Sequence, residues 1–309
     1  MGAMEWLRRS VIAQSMVFES ESCGMNSEQI PVILVHGWNS HPGIWKRLCQ
    51  RLDAAKIPYY KFDHSGMQTS SLEEISIALA DFIQNLRKDH GYEGKIDIVC
   101  HSIGTCIARY FLEVRDGSTH QEKIRQLIGI GPPNNGSALA ELFFNPEYGP
   151  GIIRQLNGVF VPQGFDPSAD PLVRDVRPAS RTMQQLRLAG IRKDISYHMI
   201  VTANPFSIPA FFPFFEGKTY ESSKSGGYFM TGNGDGIVTH TESTIPGVSL
   251  DIIPADQGDT MDMIPIDHYC HINLLRNIRV LERIMEYLTD NEPVKDEENF
   301  SKSGRWVKE

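Results

Sequence analysis

One serine of the sequence lies where an apolar run meets a helical pattern. The stretch IDIVCHSIGTC, residues 96–106, places Ser102 after a strand-like run and before a helix-like segment. A strand, a tight turn and a helix in this order are typical of a nucleophile elbow, whose usual pentapeptide is G-x-S-x-G. Here Cys100 replaces the first glycine, and we expect the turn to tolerate it because cysteine behaves as a compact hydrophobic residue. Ser102 is therefore a candidate nucleophile.

A serine hydroxyl needs a base that accepts its proton, and the base needs an orienting partner. The candidate acid is Asp235 in GNGDGIVTHTES, where flanking glycines let the backbone turn sharply, although a plain surface turn is the alternative. Two histidines compete as the base in IDHYCHINLLRN. His271 immediately precedes an apolar helical pattern, and His268 lies three residues earlier. Position alone leaves both open.

Acyl transfer to a serine also requires hydrogen-bond donors for the oxyanion. We predict that one donor is the backbone N–H of Ile103, which follows the nucleophile. The second is the N–H of Trp38 in VILVHGWNS, because His36-Gly37 closes an early apolar strand.

Acidic and histidine side chains are dense near the two candidate bases. Asp262 and Asp267 accompany His268 and His271. Such a group raises the possibility of a Ca²⁺ or Zn²⁺ site, but exposed acidic loops are more common than metal sites. We therefore predict neither a metal nor a cofactor.

Apolar runs alternate with helical patterns along the chain, which is typical of a mostly parallel sheet flanked by helices. The predicted strands are Pro31–Val35, Tyr59–Phe62, Ile96–Val99, Gln126–Ile130, Tyr197–Thr202 and Ser249–Ile253. Apolar residues at steps of three and four predict helices over residues 45–55, 72–86 and Ile272–Leu288, and a further helix runs from Ser102 to about Asp116-Gly117.

Two stretches interrupt the alternation, at about residues 137–179 and 205–230. The first is rich in Pro, Gly, Asn and Phe without a clear amphipathic period, and the second contains PFSIPAFFPFF, which is too proline-rich for a strand or a long helix. A lid or acyl-binding wall and the packing of an inserted subdomain are both open interpretations. We predict one domain over residues 30–290, with an N-terminal extension at 1–29 and a polar tail at 291–309.

The composition excludes several classes of protein. With 309 residues, 41% hydrophobic, the chain can bury a large core, and its net charge of -8 argues against a nucleic-acid partner. Five scattered cysteines indicate a reducing compartment rather than a disulfide framework. No stretch has the length of a signal peptide or a transmembrane helix, so a cytoplasmic protein is expected.

Residues from about Pro31 to Leu288 resemble an α/β-hydrolase of the lipase and esterase branch. The matching motifs are PVILVHGWN, IDIVCHSIGT, LIGIGPPNNGS, GDGIV and HINLL, in that order. The histidine of that branch often reads His-x-x-Leu-Leu, a pattern that only His271 fits. The resemblance implies Ser102 as nucleophile, His271 as base, Asp235 as its partner, and Trp38 and Ile103 as oxyanion donors.

The resemblance also implies an α/β-hydrolase fold with lid-like insertions and a serine hydrolase that cleaves carboxylic esters through an acyl-enzyme. Apolar insertions favour small-molecule or lipid esters with apolar acyl groups, with transient contact to a lipid surface. A thioesterase or acyltransferase with the same residues is an alternative, and a non-catalytic binding protein of the same fold is a more distant one.

Overall fold

The computed structural model describes residues 29–223, 227–255 and 264–290. Most of the predicted N-terminal extension, the predicted C-terminal tail and Asp262 lie outside these residues.

A six-stranded parallel sheet forms the centre of the molecule. Its strands lie in the order β2-β1-β3-β4-β5-β8. Their bounds are β1 Val32–Val35, β2 Tyr59–Phe62, β3 Ile96–His101, β4 Ile124–Ile130, β5 Ser196–Ala203 and β8 Leu250–Pro254. All six predicted strands are confirmed, with ends that differ by one or two residues at most. Because β1, β3 and β4 are covered on both faces, their aliphatic side chains are buried along almost the whole strand.

Helices cover both faces of this sheet, and four of them were predicted. They are α1 Lys46–Ala54, α2 Leu72–His90, α3 Gly104–Arg109 and α9 Ile278–Thr289. Helix α2 begins with the capping box formed by Ser71 and Glu74. The predicted helix from residue 272 is divided, because Asn277 ends a 3₁₀ segment and its side chain caps α9. No helix in the described ranges is long and apolar enough to span a bilayer.

The first interruption is more regular than its sequence indicates. It contains α4 Ala138–Phe143, α5 Gly149–Leu156 and α6 Pro171–Asp175, and it is followed by α7 Arg181–Ala189. These helices span only about one and a half to two and a half turns, too few for a clear amphipathic period to stand out in the sequence. Side-chain caps from Ser137 and Asp170 define where α4 and α6 begin.

The second interruption folds as predicted only in its proline-rich half. Residues of PFSIPAFFPFF form one 3₁₀ turn, Pro209–Phe211, and contribute to a second turn, Phe214–Gly217, in which Phe215 and Glu216 have left-handed backbone angles. An unpredicted antiparallel hairpin follows, with strands β6 Thr219–Ser222 and β7 Tyr228–Thr231. A short helix, α8 His240–Ser243, precedes β8.

The central strands contribute many fully buried side chains, so truncating one of these side chains should lower the free energy of unfolding. We expect Leu127→Ala, at a fully buried position of β4, to lower the free energy of unfolding by about 2–5 kcal/mol through lost transfer energy and a residual cavity. Leu188→Ala on α7, where the side chain is 86% exposed, serves as the matched control and should change it by less than about 0.5 kcal/mol. Chemical denaturation measures both, and equal losses would contradict this account of the core.

Candidate active site

Ser102 lies at the turn between β3 and α3 in a strained backbone conformation. Its φ of 56° is in the left-handed region, which a non-glycine residue adopts only where surrounding contacts fix it. Its N–H donates to the carbonyl of Ile130 at the end of β4, at 2.8 Å. The turn therefore presents the hydroxyl at the carboxyl edge of the sheet, and the side chain is 8% exposed.

The two outer positions of the elbow pentapeptide differ in the space available. A Cβ at Gly104 would lie 2.6 Å from the backbone carbonyl oxygens of both Val35 and His36, so only glycine fits there. Cys100 lies inside β3, pairs with Val35 of β1 and is fully buried. Burial raises the pKa of its thiol well above the usual value, so this cysteine is an inert core residue.

The Asp235 carboxylate is held by its own loop. Its Oδ1 accepts the N–H groups of Ile237 at 3.0 Å and Val238 at 2.7 Å. Its other oxygen, Oδ2, lies 2.7 Å from Nδ1 of His271, and the Asp235 carbonyl accepts the backbone N–H of His271 at 2.8 Å. The interpretation of GDGIV as a simple surface turn is therefore wrong, because Asp235 is only 2% exposed.

His271 connects the acid to the serine. Its Nε2 lies 2.8 Å from the Ser102 Oγ, and its ring is 2% exposed. The carboxylate of Asp235 can only accept, so Nδ1 of His271 carries the proton and Nε2 has a lone pair for the serine hydroxyl. This is the arrangement needed for general-base activation of a serine.

Gly131, which follows β4, makes room for this pair of side chains. A Cβ at this position would lie 2.7 Å from Asp235 Oδ2 and 3.1 Å from His271 Nδ1, and φ is +57°. The motif LIGIGPPNNGS contains this glycine, but the sequence alone does not indicate its function. The missing side chain lets the acid and the histidine meet beside the strand end.

A second histidine, His101, forms a hydrogen bond with the backbone of His271. His101 donates from Nε2 to the backbone carbonyl of His271 at 3.1 Å, and the two rings lie 4.9 Å apart. Desolvation by its surroundings and the neighbouring His271 lower the pKa of His101 to about 3. A neutral His101 therefore holds the histidine loop on the elbow, a contact that no local sequence pattern indicated.

The two predicted oxyanion donors lie beside the serine. Neither the Trp38 N–H nor the Ile103 N–H donates to an acceptor among the described residues. The peptide between Gly37 and Trp38 is fixed, because His36 donates from Nδ1 to the Gly37 carbonyl at 3.0 Å. The N–H of a trans peptide points opposite to its carbonyl, so this bond also sets the direction of the Trp38 N–H.

His64 after β2 holds His36 in turn. The rings stack at 3.9 Å, the His64 backbone N–H donates to Nε2 of His36 at 3.2 Å, and Nε2 of His64 donates to the His36 carbonyl at 3.0 Å. Burial, followed by the neighbouring His36, lowers the pKa of His64 to about 3. The loop that carries Trp38 thus depends on an uncharged pair of histidines.

The first interruption covers the site. An apolar cavity of about 40 Å³ adjoins Ser102 and is lined in part by Leu139, Phe143 and Val176 from this segment. The ring of Phe160 lies 5.3 Å from the Trp38 ring and 6.1 Å from the His271 ring. The interruption is therefore a wall of the cavity and a cover over the histidine.

The second interruption supports the acid instead. A Cβ at Gly236 would lie 2.8 Å from the ring of Phe212, and the Gly236 N–H donates to Oγ1 of Thr219 at 2.7 Å. None of its described residues lines the cavity beside Ser102. The packing interpretation fits this segment, and the wall interpretation fits the first one.

Other residues singled out in the sequence lie elsewhere. His268 is half-buried and forms no hydrogen bond with Ser102 or Asp235. Cys270, between two 3₁₀ turns, is buried, and burial raises the pKa of its thiol to about 12. Among the described residues no group of three or more His, Cys, Asp or Glu side chains could hold a metal ion.

The buried His64 gives a pH-dependent prediction. The pKa of His64 is near 6.5 in the unfolded chain and about 3 in the folded protein. Between these pH values only the unfolded chain binds a proton at His64, so the contribution of His64 to stability decreases as the pH falls below about 6.5. As the pH is lowered from 6.5 to 4.5, the free energy of unfolding of the wild type should decrease by about 1 kcal/mol more per pH unit than that of His64→Gln. Urea denaturation at several pH values measures both slopes. Parallel slopes would contradict a buried, uncharged His64.

Comparison with known proteins gives little from sequence and a clear result from structure. A family model described as a domain of unknown function (DUF7379) matches residues 5–143, less than half of the chain. No curated protein matches the sequence.

Solved structures match over most of the chain. The mature lipase BlEst2 of Bacillus licheniformis superposes with a TM-score of 0.57 at 16% identity, covering 87% of this chain and 96% of the lipase. Phospholipase PlaB of Legionella pneumophila superposes with a TM-score of 0.60 at 15% identity, covering 85% of this chain and 60% of the phospholipase. Lipase B of Aspergillus fumigatus superposes with a TM-score of 0.55 at 13% identity, covering 89% of this chain and 56% of the lipase. The match thus spans less than two thirds of the latter two proteins.

These superpositions agree with the central parallel sheet flanked by helices. The chain therefore has the α/β-hydrolase fold, which these lipases share.

Proposed function

We propose that the protein is a serine hydrolase that cleaves carboxylic esters, with Ser102 as nucleophile, His271 as base and Asp235 as its orienting partner. The observation that carries the proposal is the continuous chain of hydrogen bonds from Ser102 through His271 to Asp235, at 2.8 and 2.7 Å, beside an apolar cavity. The lipases and the phospholipase among the structural neighbours support an ester as substrate.

The reaction has two halves. Ser102 Oγ attacks the ester carbonyl carbon while His271 Nε2 takes the hydroxyl proton, and the carbonyl oxygen becomes an oxyanion next to the N–H groups of Trp38 and Ile103. The tetrahedral intermediate then expels the alcohol, which receives the proton from His271. In the second half water attacks the acyl-enzyme, His271 takes a proton from the water, and Ser102 recovers its hydrogen as the carboxylic acid leaves.

The lining of the cavity supports an apolar acyl group. Most of the cavity wall beside Ser102 consists of hydrocarbon side chains, among them Leu139, Phe143, Val173 and Val176. A cavity of about 40 Å³ holds a few carbon atoms, so a short acyl chain fits without rearrangement. A thioester, or transfer to an acceptor other than water, would use the same residues with a different leaving group or acceptor.

The nucleophile is tested by covalent labelling. A fluorophosphonate probe should modify the wild type at Ser102, and Ser102→Ala should abolish both labelling and hydrolysis of p-nitrophenyl butyrate, a loss on the order of 10⁴-fold or more. Ser137→Ala removes the other serine that lines the cavity and should still be labelled. Mass spectrometry of the modified peptide identifies the site. Persistent labelling of Ser102→Ala would assign the nucleophile to another residue.

The base is tested by a pair of histidine variants. His271→Ala should lose ester hydrolysis by roughly 10⁴-fold, because the serine hydroxyl then has no proton acceptor. His268→Ala should retain most of the activity, since this side chain lies outside the hydrogen-bonded chain. Steady-state kinetics with p-nitrophenyl butyrate compares the two. An active His271→Ala together with an inactive His268→Ala would overturn the assignment.

A further inference from the structure

A buried carboxyl group follows the loop of Asp235 (residues 232–239, here called the acid loop) and takes no part in the proposed reaction. It belongs to Glu242 in the short helix α8, whose side chain is buried. Among the described residues no lysine, arginine or histidine forms an ion pair with it, and burial raises the pKa of Glu242 to about 8. Burying a carboxyl group without a cation is costly, so its other contacts must explain its position.

The two carboxyl oxygens of Glu242 accept backbone N–H groups from different segments. Oε2 accepts the Thr239 N–H at 2.7 Å, which completes the capping box of α8 itself. Oε1 accepts the N–H of Ala138, the first residue of α4. The first N–H groups of a helix have no partner within the helix, so this oxygen supplies one. One side chain thus joins the beginnings of two helices that lie 104 residues apart in the chain.

The capping box of α2 shows that capping alone does not require this arrangement. There Glu74 accepts the Ser71 N–H at 2.8 Å while its side chain is exposed. Among the described residues Glu74 forms hydrogen bonds only with Ser71. A glutamate can therefore complete a capping box in water, and the burial of Glu242 is explained by its bond with α4.

Both segments joined by Glu242 line the small apolar cavity beside the nucleophile. Leu139, which directly follows Ala138, lines it from α4. Val238, which directly precedes Thr239, lines it from the acid loop. Each N–H group that the carboxyl group accepts is thus next to a lining residue. The position of one part of the wall relative to the other depends on this carboxyl group.

Other hydrogen bonds hold α8 in place without the Glu242 side chain. The Asn135 N–H donates to the Glu242 carbonyl at 2.8 Å, and Nδ2 of Asn134 donates to the Ser243 carbonyl at 2.7 Å. Among the described residues, the bond from Ala138 is the one hydrogen bond between α4 and α8. Loss of the side chain should therefore leave α8 attached to the loop after β4 and release the first turn of α4.

We propose that Glu242 is a positioning residue of the acyl cavity, whose carboxyl group holds α4 against the acid loop and so sets how closely the wall fits the acyl group. The inference rests on the proposed ester hydrolysis at Ser102. Glu242 forms no hydrogen bond with His271 or with the Asp235 side chain. It acts on the bound acyl group through the lining residues and leaves the hydrogen-bonded chain of the nucleophile unchanged.

The test compares p-nitrophenyl butyrate with p-nitrophenyl acetate, because the longer acyl group depends more on the cavity wall. Glu242→Ala should raise KM for the butyrate by about three- to tenfold, the effect of one lost hydrogen bond on the fit of the wall, and leave kcat within about twofold. KM for the acetate should change by less than about twofold.

Two further variants control this measurement. Glu242→Gln keeps one acceptor oxygen, so it should shift KM for the butyrate in the same direction by a smaller factor, and it decides the test if Glu242→Ala does not fold. Glu74→Ala, the same substitution in the exposed capping box of α2, should alter the kinetics of neither ester. Fluorophosphonate labelling counts the active sites, so that unfolded protein does not enter kcat.

Each outcome separates this inference from the proposed function. An equal change of KM for both esters, a lower kcat with unchanged KM, or unchanged kinetics would overturn the effect of Glu242 on the acyl cavity while ester hydrolysis stands. Failure of the wild type to hydrolyse either ester, together with no fluorophosphonate labelling of Ser102, would refute the proposed function itself.

Discussion

The buried imidazole of His271 is the constraint on which the site depends. Both of its nitrogens lie out of water, where an unpaired polar atom is costly, so an acid and a hydroxyl must stand on opposite sides of one ring. Asp235 meets this requirement only because two N–H groups of its own loop occupy its other oxygen. The serine meets it because the strained turn after β3 aims the hydroxyl at Nε2. Three loops are thus fixed by one side chain.

Much of this arrangement could be predicted from sequence because its parts are local. Continuous aliphatic runs predict strands buried on both faces, and parallel strands bring their carboxyl ends to one edge. The loops after β3 and before α8, and the turn before α9, each carry one distinctive residue: Ser102, Asp235 and His271. Local reasoning could not choose between His268 and His271, and the family pattern His-x-x-Leu-Leu pointed to the residue that lies against the serine.

Contacts between distant segments could not be predicted from sequence. Trp38 and Asp170 form a hydrogen bond across 132 residues, and neither position carries a local signal for the other. The helices of the first interruption are too short to show a period, so its function as a wall appeared only with the packing of Leu139 and Phe143 beside Ser102. The burial of Cys270 likewise depends on distant segments, since the exposure of a loop residue is set by what packs against it.

The unusual elbow shows that the glycines of a sequence motif serve different physical needs. At Gly104 a side chain would meet the carbonyl oxygens of β1 at 2.6 Å, so the strand and helix could not approach as they do. At position 100 the side chain lies within β3, in the core, and a small apolar residue packs there. At Gly131 the need is for space between the acid and the histidine. A glycine outside the pentapeptide is therefore more restrictive for this site than the one that the sequence lacks.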